Sequence, residues 1–307
     1  YLWGGTRLKS DYGKSDAPEV TAESWELAAH PDGLCIVENG PLAGKSILDL
    51  GELDRRGIWG TACKAPVFPL MVKLIDAKKD LSIQVHPSDE TALWACGEQG
   101  KAEMWYIVDC EPQACLYFGF SKRVSKEEFL RRAKDGSICD VLNRVPVARG
   151  DVFYILPGTI HAIGAGIVIA EIQQNSNTTF RVYDYQRKGA DGKLRPLHLD
   201  RAAEVLSYDP IVPEECKANS CVSFPEFTMT EMFTCRYFRA YRVDVQEYVE
   251  LLCDGSSFQH VLCVEGAGVI QAHGTSYPIA CGESYLMPAA LGNYKIEGPC
   301  RVLVSRV

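Results

Sequence analysis

Short apolar runs separated by turn residues recur along the first two thirds of this chain, and they restrict its fold more than any other feature. Runs of this kind indicate β-strands, and a series of them predicts a β-sandwich or a barrel. The runs are Val67–Asp76, Leu81–Val85, Glu103–Val108, Ala114–Gly119, Asp151–Leu156 and Ile167–Gln173.

Helical patterns are scarcer than strand patterns. Ser125 and Glu128 have the spacing of a capping box, and the segment 129–134 continues the helix that they would begin. A second short helix is expected over Ser137–Val145. A third is expected over Arg201–Ser207, with Asp200 as its N-cap and an end before Pro210.

A connector rich in Pro, Cys and Glu runs from Asp209 to about Pro225, and strand patterns resume after it. The segments 265–268 and 272–275 have the composition of turns. We expect a mainly β protein with a few short helices, divided into domains at 1–210 and 226–307. The second domain is a smaller β-sandwich with strands near Gln259–Glu265, Val269–Ala272, Ser284–Met287 and Arg301–Ser305.

The charge of the chain argues against some classes of partner. The formal net charge is −8, whereas a nucleic-acid partner requires a basic surface. A local cluster of Lys and Arg can still hold the phosphate of a small molecule within an acidic protein. No apolar run is long enough to span a bilayer, and the start has no signal-peptide pattern. We therefore expect neither nucleic acid nor a membrane as partner.

The 13 cysteines are odd in number, irregularly spaced and without a Cys-x-x-Cys pair. A disulfide framework is usually denser and occurs in shorter secreted chains. Cysteine also packs as a small hydrophobic residue. The pattern therefore predicts reduced, mostly buried thiols and a cytoplasmic protein.

Polar side chains occur at regular spacing in or beside two of the apolar segments. Ser82, Gln84 and His86 are two residues apart on a predicted strand, so they project from the same face. Lys101 and Glu103 share a face at the start of the next strand. The hypothesis is that these faces line one cavity.

A second histidine, His161, follows a Pro-Gly turn. Together with Gln84, His86 and Glu103 it forms a nitrogen and oxygen ligand set that suits zinc, or alternatively manganese, iron or cobalt. Taken alone, Gln84 with His86 is more often a satisfied polar pair than a metal site. Glu103 within an apolar strand is more informative, because a buried carboxylate needs a partner. The joint pattern favours one divalent ion.

A polar segment follows the last of these strands. Glu171, Gln173, Asn175, Asn177 and Arg181 have the same parity, so they would face one cavity if the segment stays extended. The alternative is an edge strand with a solvated polar face, and the segment alone does not separate the two.

These residues resemble the type I mannose-6-phosphate isomerases of the cupin superfamily, in their shorter bacterial form. The resemblance extends from residue 3 to residue 187, whereas the C-terminal part is similar to the family's second cupin-like domain only in pattern. The ordered set is specific, although many cupins share Pro-Gly-Thr-x-His alone. The matching pieces are Trp3–Gly5, Glu23–Glu26, Phe68–Ala77, Leu81–Pro87, Gly100–Tyr106, Pro157–Ala162 and Glu171 to Arg181.

The resemblance implies two cupin-type jelly-roll sandwiches and one zinc ion on the four ligands named above. It implies an aldose–ketose isomerase that interconverts mannose 6-phosphate and fructose 6-phosphate through an enediolate. Arg181 is then catalytic, Glu171 handles the proton and Lys101 lines the pocket. The substrate-binding candidates are Lys73, Ser82, Asn177 and Arg187.

One position departs from the family pattern. An Asp usually stands four residues before the catalytic arginine, and here the residue is Asn177, which cannot act as a base. Two alternatives therefore stay open: an inactive sugar-phosphate-binding paralogue, and a cupin oxidoreductase with iron in the same site. The iron alternative leaves the Lys and Arg cluster unexplained. We expect a monomer or homodimer, and no metal in the C-terminal domain, where His260 lacks a second histidine two residues on.

Overall fold

The structure is a computed structural model that describes residues 1–64, 67–189, 191–213 and 220–307, without the side chains of residues 94–96. Most of its regular structure is strand. The strands are β1 (Glu23–Leu27), β2 (Ala29–His30), β3 (Gly33–Leu34), β4 (Leu70–Ala77), β5 (Ile83–Val85), β6 (Glu103–Cys110), β7 (Cys115–Phe120), β8 (Leu142–Pro146), β9 (Val152–Ile155), β10 (His161–Ile163), β11 (Ile167–Gln174), β12 (Phe180–Tyr183), β13 (Ser220–Ser223), β14 (Phe227–Thr234), β15 (Arg239–Val245), β16 (Tyr248–Cys253), β17 (Gln259–Ala272), β18 (Thr275–Ala280), β19 (Ser284–Met287), β20 (Gly292–Glu297) and β21 (Cys300–Arg306).

The helices are short and lie mainly in the first half of the chain. Each of the longer ones starts at a serine whose side chain accepts a hydrogen bond from the first turn, as N-caps do. Within the described ranges, none is long and apolar enough to cross a bilayer. They are α1 (Arg7–Ser10), α2 (Ile47–Ile58), α3 (Asp89–Cys96), α4 (Lys126–Asp135) and α5 (Leu199–Val205).

Two five-stranded antiparallel sheets form the first half of the protein. The first sheet has the order β1-β4-β11-β6-β9, and the second sheet has the order β12-β5-β10-β7-β8. Side chains from both sheets meet in one apolar core, which includes Ile107 and Ile169 from the first sheet and Leu116, Phe118 and Ile163 from the second. This is the jelly-roll sandwich of cupins, and the predicted fold class is confirmed.

The inward face of the first sheet changes from apolar to charged along its strands. On β11 the inward residues are Ile169, Glu171 and Gln173, since residues two apart share a face. Ile169 lies opposite Ile75 of β4, whereas Glu171 lies opposite Lys73. One end of the sandwich is therefore packed with aliphatic side chains, and the other end holds the buried charges.

The outward face of each sheet is also covered. α4 and α5 pack on the second sheet through a cluster that includes Phe129, Ala202 and Phe180. The first sheet packs against the C-terminal part of the chain, where Phe68 and Phe258 stack with ring centroids 4.8 Å apart. The two β units thus share one continuous core.

The C-terminal unit is a nine-stranded antiparallel sheet with the order β13-β14-β15-β21-β17-β20-β16, in which β18 and β19 also pair with β17. It folds around its own core, which includes Val243, Val261, Ile296 and Val302. His260 lies in β17, is buried, and has a pKa lowered to about 3 by that burial. It therefore stays neutral in the folded protein.

Several predicted boundaries are wrong. The turn predicted at 265–268 lies inside β17, where a bulge near Cys263 keeps the strand continuous. The helix predicted over Ser137–Val145 is a single 3-10 turn, Ile138–Val141, because the chain then pairs with β7 as β8. α5 begins after His198 rather than Asp200, since the His198 backbone is hydrogen-bonded to β12 at the carbonyl of Arg181.

The connector and the cysteines also differ from expectation. β13 lies within the predicted connector, and residues 214–219 of the connector fall outside the described residues. The cysteines that the structure describes are free, and four of them are buried: Cys63, Cys253, Cys263 and Cys300. Cys221 is exposed and the others are partly buried, so the thiols are less buried than predicted.

The shared core predicts that loss of one C-terminal aromatic destabilises the whole protein. Phe258→Ala should lower the free energy of unfolding by about 3–5 kcal/mol, because it leaves a cavity against Phe68. Leu252→Ala is the control, since Leu252 is 52% exposed and its truncation should change stability by less than about 0.5 kcal/mol. Urea denaturation of both variants measures the difference. Similar midpoints for Phe258→Ala and wild type would contradict the shared core.

Candidate active site

Three predicted metal ligands meet at the charged end of the first sandwich. His86 follows β5, Glu103 begins β6 and His161 begins β10, and all three are buried. The two imidazole Nε2 atoms are 3.2 Å apart. Glu103 Oε1 lies 3.3 Å from His161 Nε2, and Glu103 Oε2 lies 3.6 Å from His86 Nε2. Strands of both sheets thus bring three ligand atoms to one point.

Backbone carbonyls orient both imidazole rings. His86 Nδ1 lies 2.9 Å from the carbonyl oxygen of Thr178, and His161 Nδ1 lies 2.9 Å from that of Thr159. A carbonyl only accepts, so each Nδ1 carries the proton and each Nε2 keeps a free lone pair. Burial lowers the pKa of both rings, that of His161 to about 4. Neutral rings with outward Nδ1–H bonds are the usual state of metal-binding histidines.

The Glu103 carboxylate completes the set. It is fully buried, and neither oxygen accepts a hydrogen bond of good geometry, although Lys101 Nζ lies 3.0 Å from Oε2. Two imidazole lone pairs and a carboxylate therefore face one another without a proton between them. This arrangement fits a divalent cation of the zinc class, which binds such N/O sets.

Gln84 stands beside this centre. Its Cα pairs with that of His161 on one side and with that of Arg181 on the other, so the three side chains share the inward face. Gln84 is half-buried. Its role as the fourth ligand stays a prediction.

Lys101 links the centre to a second carboxylate. Its Nζ lies 3.0 Å from Glu103, 3.6 Å from Glu171 and 3.4 Å from His86 Nε2. Burial lowers the pKa of Lys101, but the two carboxylates raise it more, so the ammonium stays charged. Burial raises the pKa of Glu171, and the neighbouring Glu103 raises it further. Trp105 Nε1 donates to Glu171 at 2.9 Å and fixes its orientation.

Lys73 is already paired with residues of the protein itself. Its Nζ lies 3.3 Å from Glu23 and 4.6 Å above the Trp25 ring. Both partners are on β1, where Trp25 lies opposite Lys73 in the register. Ser82 is buried directly before β5. The Lys73 ammonium lies close enough to Glu103 and Glu171 to oppose the rise in pKa of both carboxylates. Substrate binding by Lys73 and Ser82 stays a prediction.

Arg181 lies on β12, opposite Gln84 of β5 in the register. Its Nη1 donates to the carbonyl of Pro196 at 3.0 Å, and its buried Nε has no partner. Burial lowers its pKa, and the nearby Arg195 lowers it further. A guanidinium beside another cation and with a free donor is suited to meet an anion.

The predicted extended segment from Glu171 to Arg181 is interrupted. β11 ends at Gln174, and the chain bends before β12 begins at Phe180. Asn175 donates to the carbonyl of Ala29, and Asn177 donates to Asp32 at 2.8 Å. The parity argument therefore fails after residue 173, because a bend in the backbone resets which face a side chain takes.

Arg187 is held by groups other than the three ligands. Its guanidinium bonds to Asp184, donates to the carbonyl of Asp80 and sits over the Tyr185 ring at 5.1 Å. Arg195 binds the same Asp184 carboxylate through Nε at 2.7 Å. Phosphate binding by Arg187 stays a prediction.

Sequence reasoning missed several residues that shape the site. Glu23 and Trp105 hold Lys73 and Glu171, and Arg195 adds charge beside Arg181. Glu23 shares parity with Trp25 in a motif already noted, so pairing β1 with β4 would have found it. Arg195 lies in an irregular loop, and no periodic signal marks it.

The described residues also line a cleft of about 790 Å³ between the two β units. Its walls include Asp89, Gln174, Arg236 and Tyr237. None of the predicted site residues lines it. The His86–Glu103–His161 centre, and not this cleft, is therefore the candidate active site, because the cleft holds no comparable ligand set among the described residues.

Comparisons with known proteins agree with this geometry. A family model described as phosphomannose isomerase type I, catalytic domain, matches residues 1–111, and one described as mannose-6-phosphate isomerase, cupin domain, matches residues 228–307. Mannose-6-phosphate isomerase ManA of Bacillus subtilis is 38% identical over 100% of this chain and 95% of its own length. Mannose-6-phosphate isomerase of Streptococcus mutans is 33% identical over 99% of this chain and 94% of its own length.

A solved structure extends the likeness to three dimensions. The crystal structure of mannose 6-phosphate isomerase from Bacillus subtilis matches with a TM-score of 0.93 and 35% identity, over 100% of this chain and 96% of that one. Both β units are included in this match. The chain therefore belongs to the type I mannose-6-phosphate isomerases, a family of aldose–ketose isomerases.

Proposed function

We propose that this chain interconverts mannose 6-phosphate and fructose 6-phosphate by moving a proton between C1 and C2. The observation that carries the proposal is the buried meeting of His86, Glu103 and His161 with the charged pair Lys101 and Glu171. Relatives that match along the whole chain carry the name of this activity.

A metal ion belongs to the proposal. His86, Glu103 and His161, with Gln84 as the fourth ligand, would hold one divalent ion per chain, and zinc is the proposed ion. When bound, it would act as a Lewis acid on substrate oxygens. The residues themselves supply the rest of the site: charge, orientation and a proton acceptor.

Glu171 is the proposed base. Its carboxylate is buried, held by Trp105 and raised in pKa by burial and by Glu103, which brings a carboxyl closer to the range suited to proton transfer at neutral pH. Glu171 takes the proton from one carbon and returns it to the neighbouring carbon. Asn177 has no part in this step, since a neutral amide is not a base.

Fixed positive charge stabilises the enediolate. Lys101 lies next to Glu171, so its ammonium is within the same small volume as the transferred proton. Arg181 faces the same interior and keeps its charge at any working pH. Donors fixed in advance next to developing negative charge typically contribute about 10²- to 10³-fold to the rate.

The proposed substrate-binding residues are Lys73, Ser82, Asn177 and Arg187. Lys73 and Ser82 lie in the interior, and Asn177 lies near Asp32. Arg187 is the proposed phosphate ligand. It shares the single Asp184 carboxylate with Arg195, so the pair of guanidiniums keeps a net positive charge for an anion.

The proposal includes the domain boundaries, the cellular location and the oligomeric state. We propose that the two β units are domains at 1–210 and 226–307, with the metal only in the first. The free thiols of the described cysteines fit a cytoplasmic enzyme. A monomer or homodimer is the proposed state.

The proposed function predicts turnover of mannose 6-phosphate by the purified protein. Fructose 6-phosphate should form and reach equilibrium, because the site contains a base, fixed cations and a metal ligand set. A coupled assay for fructose 6-phosphate measures it. Metal-replete protein that binds mannose 6-phosphate without turnover would support the inactive paralogue, and oxygen consumption with iron would support the oxidoreductase.

The proposed ligand set predicts the metal content of the protein. Purified wild type should contain about one zinc-class ion per chain, and His86→Ala should lose it, since the substitution removes one of the two imidazoles of the proposed four-ligand set. His273→Ala is the control, because His273 is exposed in a turn. Elemental analysis measures the ion, and thermal unfolding checks the fold. Full metal occupancy in His86→Ala would show that the ion sits elsewhere.

The proposal also predicts different kinetic roles for Arg181, Arg187 and Asn177. Arg181→Ala should lower kcat by roughly 10² or more, as a lost oxyanion donor does. Arg187→Ala should mainly raise KM, because it removes ground-state binding. Asn177→Ala should cost less than Arg181→Ala. Steady-state kinetics, with metal content checked in each variant, measures all three.

The opposite ranking would overturn this division. If Arg181→Ala keeps a near-normal kcat while Asn177→Ala abolishes turnover, the proton must travel by a route organised around Asn177 and its partner Asp32.

A further inference from the structure

We propose that Asp89 is a positioning residue that places Lys101 for catalysis, although Asp89 lies outside the active site. This inference rests on the proposed function. Its basis is a set of hydrogen bonds that tie the backbone on both sides of Lys101 to side chains of another helix and strand.

The backbone around Lys101 is held from two directions. Asp89 is the first residue of α3, and its Oδ1 accepts from the Gly100 backbone N–H at 2.9 Å and from Gln174 Nε2 at 2.9 Å. Gln174 Oε1 in turn accepts from the Ala102 N–H at 2.9 Å. The amides immediately before and after Lys101 are therefore both bound by one Asp–Gln pair.

Lys101 needs this support because it precedes the sheet. β6 begins at Glu103, and residues 97–102 form no helix or strand. The Lys101 backbone N–H does bond to the carbonyl of Pro87 at 3.1 Å. The Gln174 backbone N–H also donates to the carbonyl of Ala102 at 3.1 Å. Without the side-chain bonds of Asp89 and Gln174, these two backbone bonds would hold a segment whose flexible lysine side chain must reach Glu103 and Glu171 in a buried interior.

The C-terminal sheet fixes Asp89 itself. Tyr237, in the turn between β14 and β15, donates its hydroxyl to Asp89 Oδ2 at 2.7 Å. Burial raises the pKa of Asp89, but hydrogen bonds from Tyr237, Gln174 and Gly100 lower it more, so the carboxylate stays ionised as an acceptor. A residue of the second β unit thereby acts on the catalytic lysine of the first.

The competing explanation is helix capping. A carboxylate in the first turn of a helix stabilises it whatever else it touches. Glu90 tests this explanation, because it shares the first turn of α3, whereas its partners among the described residues are Ser88 and, at 3.8 Å, Arg236 on the surface. Glu90→Ala removes the same charge at the same helix end and leaves Gly100 and Gln174 untouched.

The first experiment measures backbone order directly. In hydrogen–deuterium exchange followed by mass spectrometry, peptides that contain Gly100 and Ala102 should exchange faster in Asp89→Ala than in wild type. Glu90→Ala should match wild type, and Asp89→Asn should largely restore protection, since its amide oxygen still accepts from Gly100 and Gln174. Unchanged exchange in Asp89→Ala would overturn the proposal. If Asp89→Ala does not fold, Tyr237→Phe gives the same comparison with a smaller increase.

The second experiment asks whether Asp89 acts through Lys101. Asp89→Ala should lower kcat about 10-fold or more with little change in KM, as displaced catalytic groups do. In the Lys101→Met background the same substitution should change kcat less than about 2-fold, because coupled residues are not additive. Equal losses in both backgrounds, or an equal loss in Glu90→Ala, would assign Asp89 a purely structural role.

The two proposals fail differently. If wild type does not convert mannose 6-phosphate, the proposed function falls while the exchange experiment still decides whether Asp89 orders the Lys101 backbone. If wild type is active and hydrogen–deuterium exchange around Lys101 is the same in Asp89→Ala as in wild type, only the positioning role of Asp89 is overturned.

Discussion

A set of buried charges in the first sandwich is the constraint on which much of the structure depends. Lys101, Glu103 and Glu171 are almost fully removed from water, and an unpaired charge in such a place costs several kcal/mol. Each of the three lies within 3.6 Å of an opposite charge. The strands that carry them must therefore keep their register, since a slip of one residue would turn a charge into an aliphatic core.

Orientation in this site comes largely from the main chain. The imidazoles of His86 and His161 are held by the carbonyls of Thr178 and Thr159, and the segment around Lys101 is held through its amides. Glu171 is the exception, because the Trp105 side chain orients it. A site built in this way depends on the path of the backbone, which the side chains of Asp89 and Gln174 fix around Lys101.

Strand parity predicted more of this site than of the surrounding loops. The meeting of His86, Glu103 and His161 followed from regular alternation and from the need of a buried carboxylate for partners. The positions of Asn177 and Arg187 did not follow, because the chain bends after β11 and the partners Asp32 and Asp184 come from irregular segments. Sandwich architecture was equally predictable from the apolar runs, whereas the bulge that joins the two halves of β17 leaves no periodic signal.

The core shared by the two β units has a consequence for how the chain is made. The outward face of the first sheet is covered by residues such as Phe258 and Leu303, which are translated last. At ~5–20 residues per second, a ribosome needs on the order of ten seconds to pass from β12 to β21. Throughout that interval this apolar face lacks its C-terminal cover, although N-terminal residues such as Leu50 and Trp59 belong to the same core. A chain that stops before β17 keeps His86, Glu103 and His161 but leaves part of this apolar face exposed to solvent, so truncated products would aggregate even with these three residues in place.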